Sequence, residues 1–508
     1  MTTRSRKPVR AYHLAILGLV LLCCTAYSTC QPIVNYNPSR DQTVAANANW
    51  IVTGMNFKWN IVPAPGSVLA STGYKTWTFG PGYFAGNPAY VPVTGANGLF
   101  PCINCFVTVP PPTPCPGLSL AGEPQVVADP LDGRLWFHIN DGGFGCLFAT
   151  TAAGDPRGPF VPGIQVALGD GLHLNVTSDK IVVVGYIPAP GDPCCGSGCP
   201  PPPAPQHACP AGGGGYVVSR ADMVNGVRPP AMQTIYFDSD APNGWAIINR
   251  SSAAPSVAWY YSPHLTDPTA VQLKRIDGVP PTATLTIYEA STSSTIPFGR
   301  KPFDGIQPDT TRVTFPNSTP GMWASGSFGF IVQSTPGPEG IYVDGIEQIW
   351  LYAIGPLDSG IPFIEPYYVD QGPGANFSDA STWYSGPASM GCPTLGVRPD
   401  NTVVLGISAV GKPGQYLSAY RRLILPTPHF GTPGGDWALI AQGKGPSPSP
   451  APICDTSSGV IENYCIDFCT AAASVVDPKT ICQVQPYYDA GQGGYDLTDA
   501  TSCYDGNS

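Results

Sequence analysis

Carboxylates are the side chains in this 508-residue sequence best suited to chemistry. Asp129 is followed by Pro130 where a run of strand-forming residues turns, and Asp170 and Glu347 fall beside other such runs. Two carboxylates about 5–9 Å apart across a cleft can break a glycosidic bond, one giving a proton while the other attacks or activates water. The plainer role is local. An Asp at a strand end accepts backbone N–H groups and shapes the turn, and that reading is preferred for Asp129 and Asp170.

Other chemistry finds no support. No Gly-x-Ser-x-Gly occurs, and Gly406-Ile-Ser-Ala-Val-Gly411 has the wrong spacing for a nucleophile elbow. There is no phosphate loop, dinucleotide fingerprint or His-Glu-x-x-His motif. Of the six histidines, His138 and His173 lie on strand-like runs and are read as packed or exposed sheet residues in preference to ligands. Asp238-Ser-Asp240-Ala-Pro-Asn243-Gly244 is a weak Ca²⁺ candidate through Asp238, Asp240 and Asn243. It lacks the alternating ligands and the bidentate Glu of a calcium loop, so a solvated turn is expected and no cofactor is assigned.

The elements that must carry these groups are strands. Charged residues make up 11% of the chain, well below the roughly 25% of an average soluble protein. The 59 Gly and 60 Pro break up any long amphipathic helix, while 43% hydrophobic residues suffice for a packed core. Leu135–Ile139, Lys180–Tyr186, Gly215–Val218, Ala283–Tyr288, Phe328–Val332, Ile349–Tyr352 and Thr402–Ile407 are β-branched or aromatic runs bounded by turn residues. A short helix is conceivable only around Arg220–Val224 and near the C-terminus. The fold class is all-β.

Export is expected. Arg4, Arg6, Lys7 and Arg10 precede the apolar Leu14–Cys24, with Ala26 and Ser28 as the small residues of a cleavage site. Such a core suits a secretory signal at 1–28 and is too short for a membrane helix. The net charge is −10, and without the leader −14, so nucleic acid is a poor partner. In an exported chain, Cys102, Cys105, Cys115, Cys146, Cys194, Cys195, Cys199, Cys209, Cys392, Cys454, Cys465, Cys469, Cys482 and Cys503 are read as disulfides, in preference to zinc at Cys102/Cys105 or at the Cys194, Cys195, Cys199, His207, Cys209 cluster, which lacks the regular paired spacing of a zinc ribbon. Nine of these fourteen precede the Pro446–Pro452 stretch and five follow it, so pairing all of them with one another would need at least one bridge across it, with Cys392 a plausible partner; a free thiol, a bridge to Cys30 or an intermolecular disulfide are the alternatives. The sequons Asn175, Asn249, Asn317 and Asn376 are candidate glycosylation sites.

Three segments read as one repeated unit: Gly122 to Trp136, Gly169 to Val183 and Gly391 to Val404. Each runs from a short apolar stretch through an Asp-led turn (Asp132, Asp179, Asp400) into a β run, the pattern of a hairpin. Asp344-Gly345 looks like a further turn of this kind. The first two Asp are 47 residues apart, close to the period of one propeller blade. A β-sandwich is the competing architecture and is disfavoured by the length of the body. The expected organisation is a signal peptide at 1–28, a β-propeller of six to eight blades at 29–445, a Pro/Ser linker at 446–453 and a Cys-rich tail at 454–508.

Arg40-Asp-Gln-Thr-Val-Ala-Ala46, Trp50-Ile-Val52 with Met55-Asn56, Gly122-Glu-Pro124 with Asp129 and Gly133-Arg-Leu-Trp136, and Phe148 through Gly158 occur in that order. This order resembles a family of large secreted β-propellers, known as uncharacterised exported bacterial proteins. Val217–Gly226 is similar to that family's next segment, and Gly391-Cys-Pro393 with Leu417–Arg422 to a late blade. The similarity spans roughly 35–440. Ala46 stands where the family has Gly, and only Asp436-Trp437 replaces its closing motif. The resemblance implies a fold and carries no activity.

Propeller-shaped glycosidases are similar to this chain in opening strands with Asp-Pro, but the Ser-x-Asp-x-Gly-x-Thr-Trp boxes of sialidases are absent. The functional expectation is a non-enzymatic extracellular module that binds a glycan or protein through aromatic loops bearing Trp323, Trp383, Tyr384, Tyr367 and Tyr368. The alternative is a carbohydrate-active hydrolase or lyase using funnel carboxylates.

Overall fold

The computed structural model describes the strands between Val34 and Asp505, together with 47–49, 64, 129, 131–134, 151–158, 177–179, 220–231, 237, 256–257, 278–283, 308, 444–445 and 488. The described residues are β-strands and one short helix. Among them no helix is long and apolar enough to cross a membrane.

Strand β1 (Val34–Tyr36) comes first. The first four-stranded sheet is β2 (Thr43–Ala46), β3 (Trp50–Met55), β4 (Lys58–Pro63) and β5 (Trp77–Phe79), the second β6 (Gly122–Ala128), β7 (Leu135–Asn140), β8 (Gly145–Thr150) and β9 (Phe160–Val166). The third is β10 (His173–Val176), β11 (Lys180–Ile187), β12 (Gly212–Ser219) and β13 (Met232–Tyr236), with helix α1 (Arg220–Val224) between its last two strands. The fourth is β14 (Trp245–Asn249), β15 (Ala258–Pro263), β16 (Ala270–Asp277) and β17 (Thr284–Ser291), after which β18 (Phe303–Ile306) and β19 (Arg312–Phe315) form a separate hairpin. The fifth comprises β20 (Phe328–Ser334), β21 (Glu347–Ile354), β22 (Phe363–Asp370), β23 (Asn376–Ala380) and β24 (Trp383–Tyr384), the last also on β22. The sixth is β25 (Ser389–Val397), β26 (Val403–Val410), β27 (Tyr416–Leu425) and β28 (Thr432–Gly443).

Each sheet is an antiparallel meander in chain order, and a parallel contact between β14 and β20 joins the fourth to the fifth. The seventh breaks chain order. Strands β29 (Ala471–Ala473), β30 (Thr480–Tyr487) and β31 (Thr498–Asp505) follow one another, and β31 then pairs with β1, Val34 opposite Thr501. The residues after the Pro/Ser stretch thus build one sheet with the earliest strand, and Cys482 and Cys503 are bonded as opposite residues of β30 and β31.

Sheets pack face on face through apolar side chains. Val44, Ala46, Ile51 and Val62 of the first meet Cys482, Val484 and Cys503 of the seventh. Trp136, Leu147 and Ile164 of the second meet Leu174, Val176, Ile181 and Val183 of the third. The opposite face of the third, with Val182, Val184 and Val217, meets Tyr260 and Ile276 of the fourth. A strand with both faces covered has no reason to alternate, which is why β11 reads Ile181-Val-Val-Val184 without a polar break.

The first strand of each sheet lies beside the first strand of the next: β2 by β6, β6 by β10, β10 by β14, β14 by β20, β20 by β25, β25 by β29, and β29 by β2. Each first strand runs into its sheet's first turn. The two ends of the assembly therefore differ: one carries the connections after the first strands, of which those after β2, β6 and β10 are described as tight turns, the other the segments that enter the first strands.

Candidate functional site

Asn47, Asp129 and Thr177 occupy one position in three hairpins, directly after β2, β6 and β10. Each backbone N–H donates to the residue opening the return, Asn47 to Trp50, Asp129 to Arg134 and Thr177 to Lys180. Each side chain then caps its own turn. Asn47 Oδ1 accepts from the Asn49 and Trp50 N–H groups, Asp129 Oδ1 from Leu131 N–H, and Thr177 Oγ1 from Lys180 N–H. Turn capping is what short polar side chains do best, which explains the residue types.

The same side chains, or their neighbours, then reach the next sheet. Asn47 Nδ2 donates to the carbonyls of Gly133 and Gly154, both at 2.9 Å, tying the first sheet to the second. Gly154 makes this approach possible. Its φ is +64°, and a Cβ there would stand 2.6 Å from Asn47 Nδ2. Gly154→Ala is expected to lower stability by at least ~1–2 kcal/mol from the left-handed backbone alone, and Asn47→Ala by about 1–3 kcal/mol from lost caps and orphaned carbonyls. Urea denaturation midpoints will check both, and unchanged midpoints would remove the tie. Arg157 adds a cation–π contact to this junction, its guanidinium 4.6 Å above the ring of Trp50.

Between the second and third sheets the tie is ionic. Arg220 opens α1, whose N-cap Ser219 accepts from Asp222 N–H. Its Nε donates to Asp129 Oδ2 at 2.7 Å and its Nη2 to Asp132 Oδ2 at 3.0 Å. Trp136 Nε1 donates to the same Asp129 oxygen at 2.8 Å. Burial pulls the Asp132 carboxyl upward, but Arg134 and Arg220 outweigh it and hold the group below its ordinary value. From the third sheet to the fourth, Lys180 Nζ donates to the Ser256 carbonyl, Asn175 Nδ2 to that of Trp259, and Gln233 exchanges two hydrogen bonds with Ala283.

These positions decide several expectations. Asp129 is fully buried and its carboxylate accepts from three protein donors, the surroundings of a turn-shaping group. Asp170 lies outside the described residues, and its segment enters β10 at His173, the end of that strand away from the Thr177 turn. Glu347 is the first residue of β21, the strand following its sheet's first turn. Asp129 and Glu347 are thus both at the turn end. Asp238, Asp240 and Asn243 lie outside the described residues, and among those described no three His, Cys, Asp or Glu could hold a metal.

One sequon is corrected. Asn175 on β10 is only 3% exposed, and the nitrogen that would carry a glycan donates to Trp259. The folded chain has no room for a sugar there. The backbones of Asn249 and Asn376 are in β14 and β23; Asn317 lies outside the described residues. Cys146 and Cys392 are on β8 and β25, and apart from the bonded pair Cys482–Cys503 the other cysteines lie outside the described residues.

At the opposite end the chain is spent differently. β11 leaves the third sheet at Ile187 and β12 returns at Gly212, so the Cys- and Pro-rich segment 188–211 is attached there. β6 starts at Gly122 at the same end, where segment 80–121 with its three cysteines rejoins the sheets. Trp383 and Tyr384 form β24, paired with Ile364 and Phe363 at the beginning of β22, again at this end. Tyr367 and Tyr368 lie further along β22, and Trp323 is outside the described residues. The sequence motifs quoted for the family resemblance, by contrast, belong mostly to the ties: Trp50, Asp129, Gly133, Trp136, Gly154 and Arg157.

No family model matches this chain, and no curated protein matches it in sequence. Solved structures similar to it include the α-L-arabinanase of Penicillium chrysogenum complexed with arabinobiose, at 8% identity and a TM-score of 0.37 over 76% of this chain and 93% of that one. The α-L-arabinofuranosidase of Fusarium graminearum is similar at 8% identity and a TM-score of 0.36, over 75% of this chain and 91% of its own. An ulvan lyase aligns at 10% identity and a TM-score of 0.34, over 74% and 79%. Each likeness is loose.

Proposed function

We propose that the chain is an exported seven-bladed β-propeller that engages an extracellular carbohydrate at the end opposite its tied turns. The number seven rests on the cyclic adjacency of the seven first strands, with β31 and β1 completing the last blade. The observation that carries the choice of face is the contrast between the two ends. At one, the described turns after β2, β6 and β10 are capped and their polar groups are used within the protein. The other receives the long Cys- and Pro-rich insertions and the Trp383-Tyr384 strand. Binding residues concentrate on loops held by a rigid scaffold, and aromatic faces suit sugar rings.

Binding without turnover is the first reading, supported by a sequence without a nucleophile, metal or cofactor motif and by the three protein donors that already engage Asp129. A hydrolase or lyase at the same end is the second, with Asp170 left as the carboxylate whose segment enters there. The enzymes named above direct the substrate screen to arabinan and ulvan. Affinity electrophoresis against such polysaccharides is expected to retard the protein, and Trp383→Ala with Tyr384→Ala to abolish the retardation without changing the melting temperature. Retardation by none of a broad panel would overturn the proposal. Release of sugar products that disappears in Asp170→Asn would establish the second reading in place of the first.

A further inference from the structure

His138 sits in the middle of β7, fully buried, and neither ring nitrogen has a hydrogen-bond partner. Strand alternation places it on the same face as Trp136, the face turned to the third sheet. Its strand neighbours on that face are Gln125 of β6 and Leu147 of β8. Across the layer β10 and β11 present Leu174, Val176, Ile181 and Val183, while α1 adds Met223. The titratable group here among the described residues is the Tyr216 phenol of β12, which burial and then Tyr236 push upward and which stays neutral in acid. Charges stand at the turn end of the same layer: Asp129, Asp132, Arg134 and Arg220, already committed to one another. His173 belongs to the adjacent β10 but alternates away, toward the fourth sheet with Asn175.

We propose that the layer between the second and third sheets is an acid-released latch, with His138 as the group that opens it. Among the described residues no carboxylate or carbonyl hydrogen-bonds the imidazole, so nothing there offsets the cost of charging it in an apolar layer. Burial alone pushes its pKa down to about 3. An imidazole released to water titrates near 6.5, so the opened layer binds one more proton than the closed layer through that window. Stability of the closed layer therefore rises with pH between about 3 and 6.5, and each unit of acidification shifts the balance toward opening by up to about tenfold.

Backbone hydrogen–deuterium exchange, corrected for intrinsic rate, tests this at pH 7 and 4.5 on the whole secreted protein and on His138→Leu. Leucine suits the apolar wall and cannot take a proton. Amides of β7, β8, β10 and β11 are expected to open roughly seventyfold more readily at pH 4.5 than at pH 7 in the native protein. In His138→Leu that increase should shrink at least tenfold, with protection at pH 7 equal or better. The same increase in both proteins would overturn the latch. Should the variant fail to fold, imidazole C–H exchange of the native protein, read peptide by peptide, supplies the answer. A His138 ring that stays neutral until those amides open supports the latch; one that titrates near 6.5 while they remain protected refutes it.

Discussion

Arg220→Met is expected to destabilise the protein by about 3–5 kcal/mol, the scale for leaving one member of a buried ion pair without its partner. The variant strands Asp129, fully buried, with only two neutral donors, Leu131 N–H and Trp136 Nε1. Asp129→Asn should cost less, because it removes the charge while keeping a polar group of the same shape. The double variant should then be more stable than additivity of the two single changes allows, since neither charge remains to be compensated. Denaturant unfolding of all four proteins gives the coupling. Additive losses would mean that Arg220 acts through packing alone, and the ionic account of the second and third sheets' junction would fall.

The second large effect belongs to Cys482–Cys503. The bridge encloses a loop of sequence separation 21, for which loop-closure entropy predicts roughly 3 kcal/mol. Both cysteines also pack against Val44, Ala46 and Ile51 of the first sheet, so the loss reaches beyond β30 and β31. Cys482→Ser with Cys503→Ser is therefore expected to lower the melting temperature and to raise hydrogen exchange in β1 and β31 together. Exchange confined to β30 would show that the bridge supports its own hairpin and not the pairing with β1. Exclusion of reductant from the buried bond predicts a further observable: mild reductant should leave it intact in the folded protein while opening exposed bridges.

Local features were well written in the sequence. The runs Leu135–Ile139, Lys180–Tyr186 and Phe328–Val332 became β7, β11 and β20, and Arg220–Val224 became α1, because β-branched content and an Asp near a helix start act within a few residues. The repeated hairpins of residues 122–136, 169–183 and 391–404 were legible for the same reason, and their strands β6–β7, β10–β11 and β25–β26 pair as such units must. The ties were not. Asp129 was legible as a turn-shaping carboxylate, but not its ion pair, because Arg220 lies 91 residues away. Asn47 drew no notice, although its place after a first strand matches that of Asp129 and Thr177. Asn175 passed as a glycan acceptor because a sequon says nothing of burial. The charge, spacing and type of a residue are local; what faces it is set by another sheet.

The pairing of β1 with β31 gives the molecule a timetable. Val34 and Thr501 are partners more than 460 residues apart in the chain. At ordinary synthesis rates β31 is made roughly half a minute to a minute and a half after β1. Throughout that interval β1 has no strand to bind, and the apolar face formed by Val44, Ala46, Ile51 and Val62 lacks Val484 and the cysteines that cover it. The second and third sheets, whose strands follow one another closely, have their partners long before. Assembly is thus ordered in time, with the earliest strand among the last to be seated. A nascent chain stalled before residue 480 would present that uncovered face to chaperones and to other copies of itself.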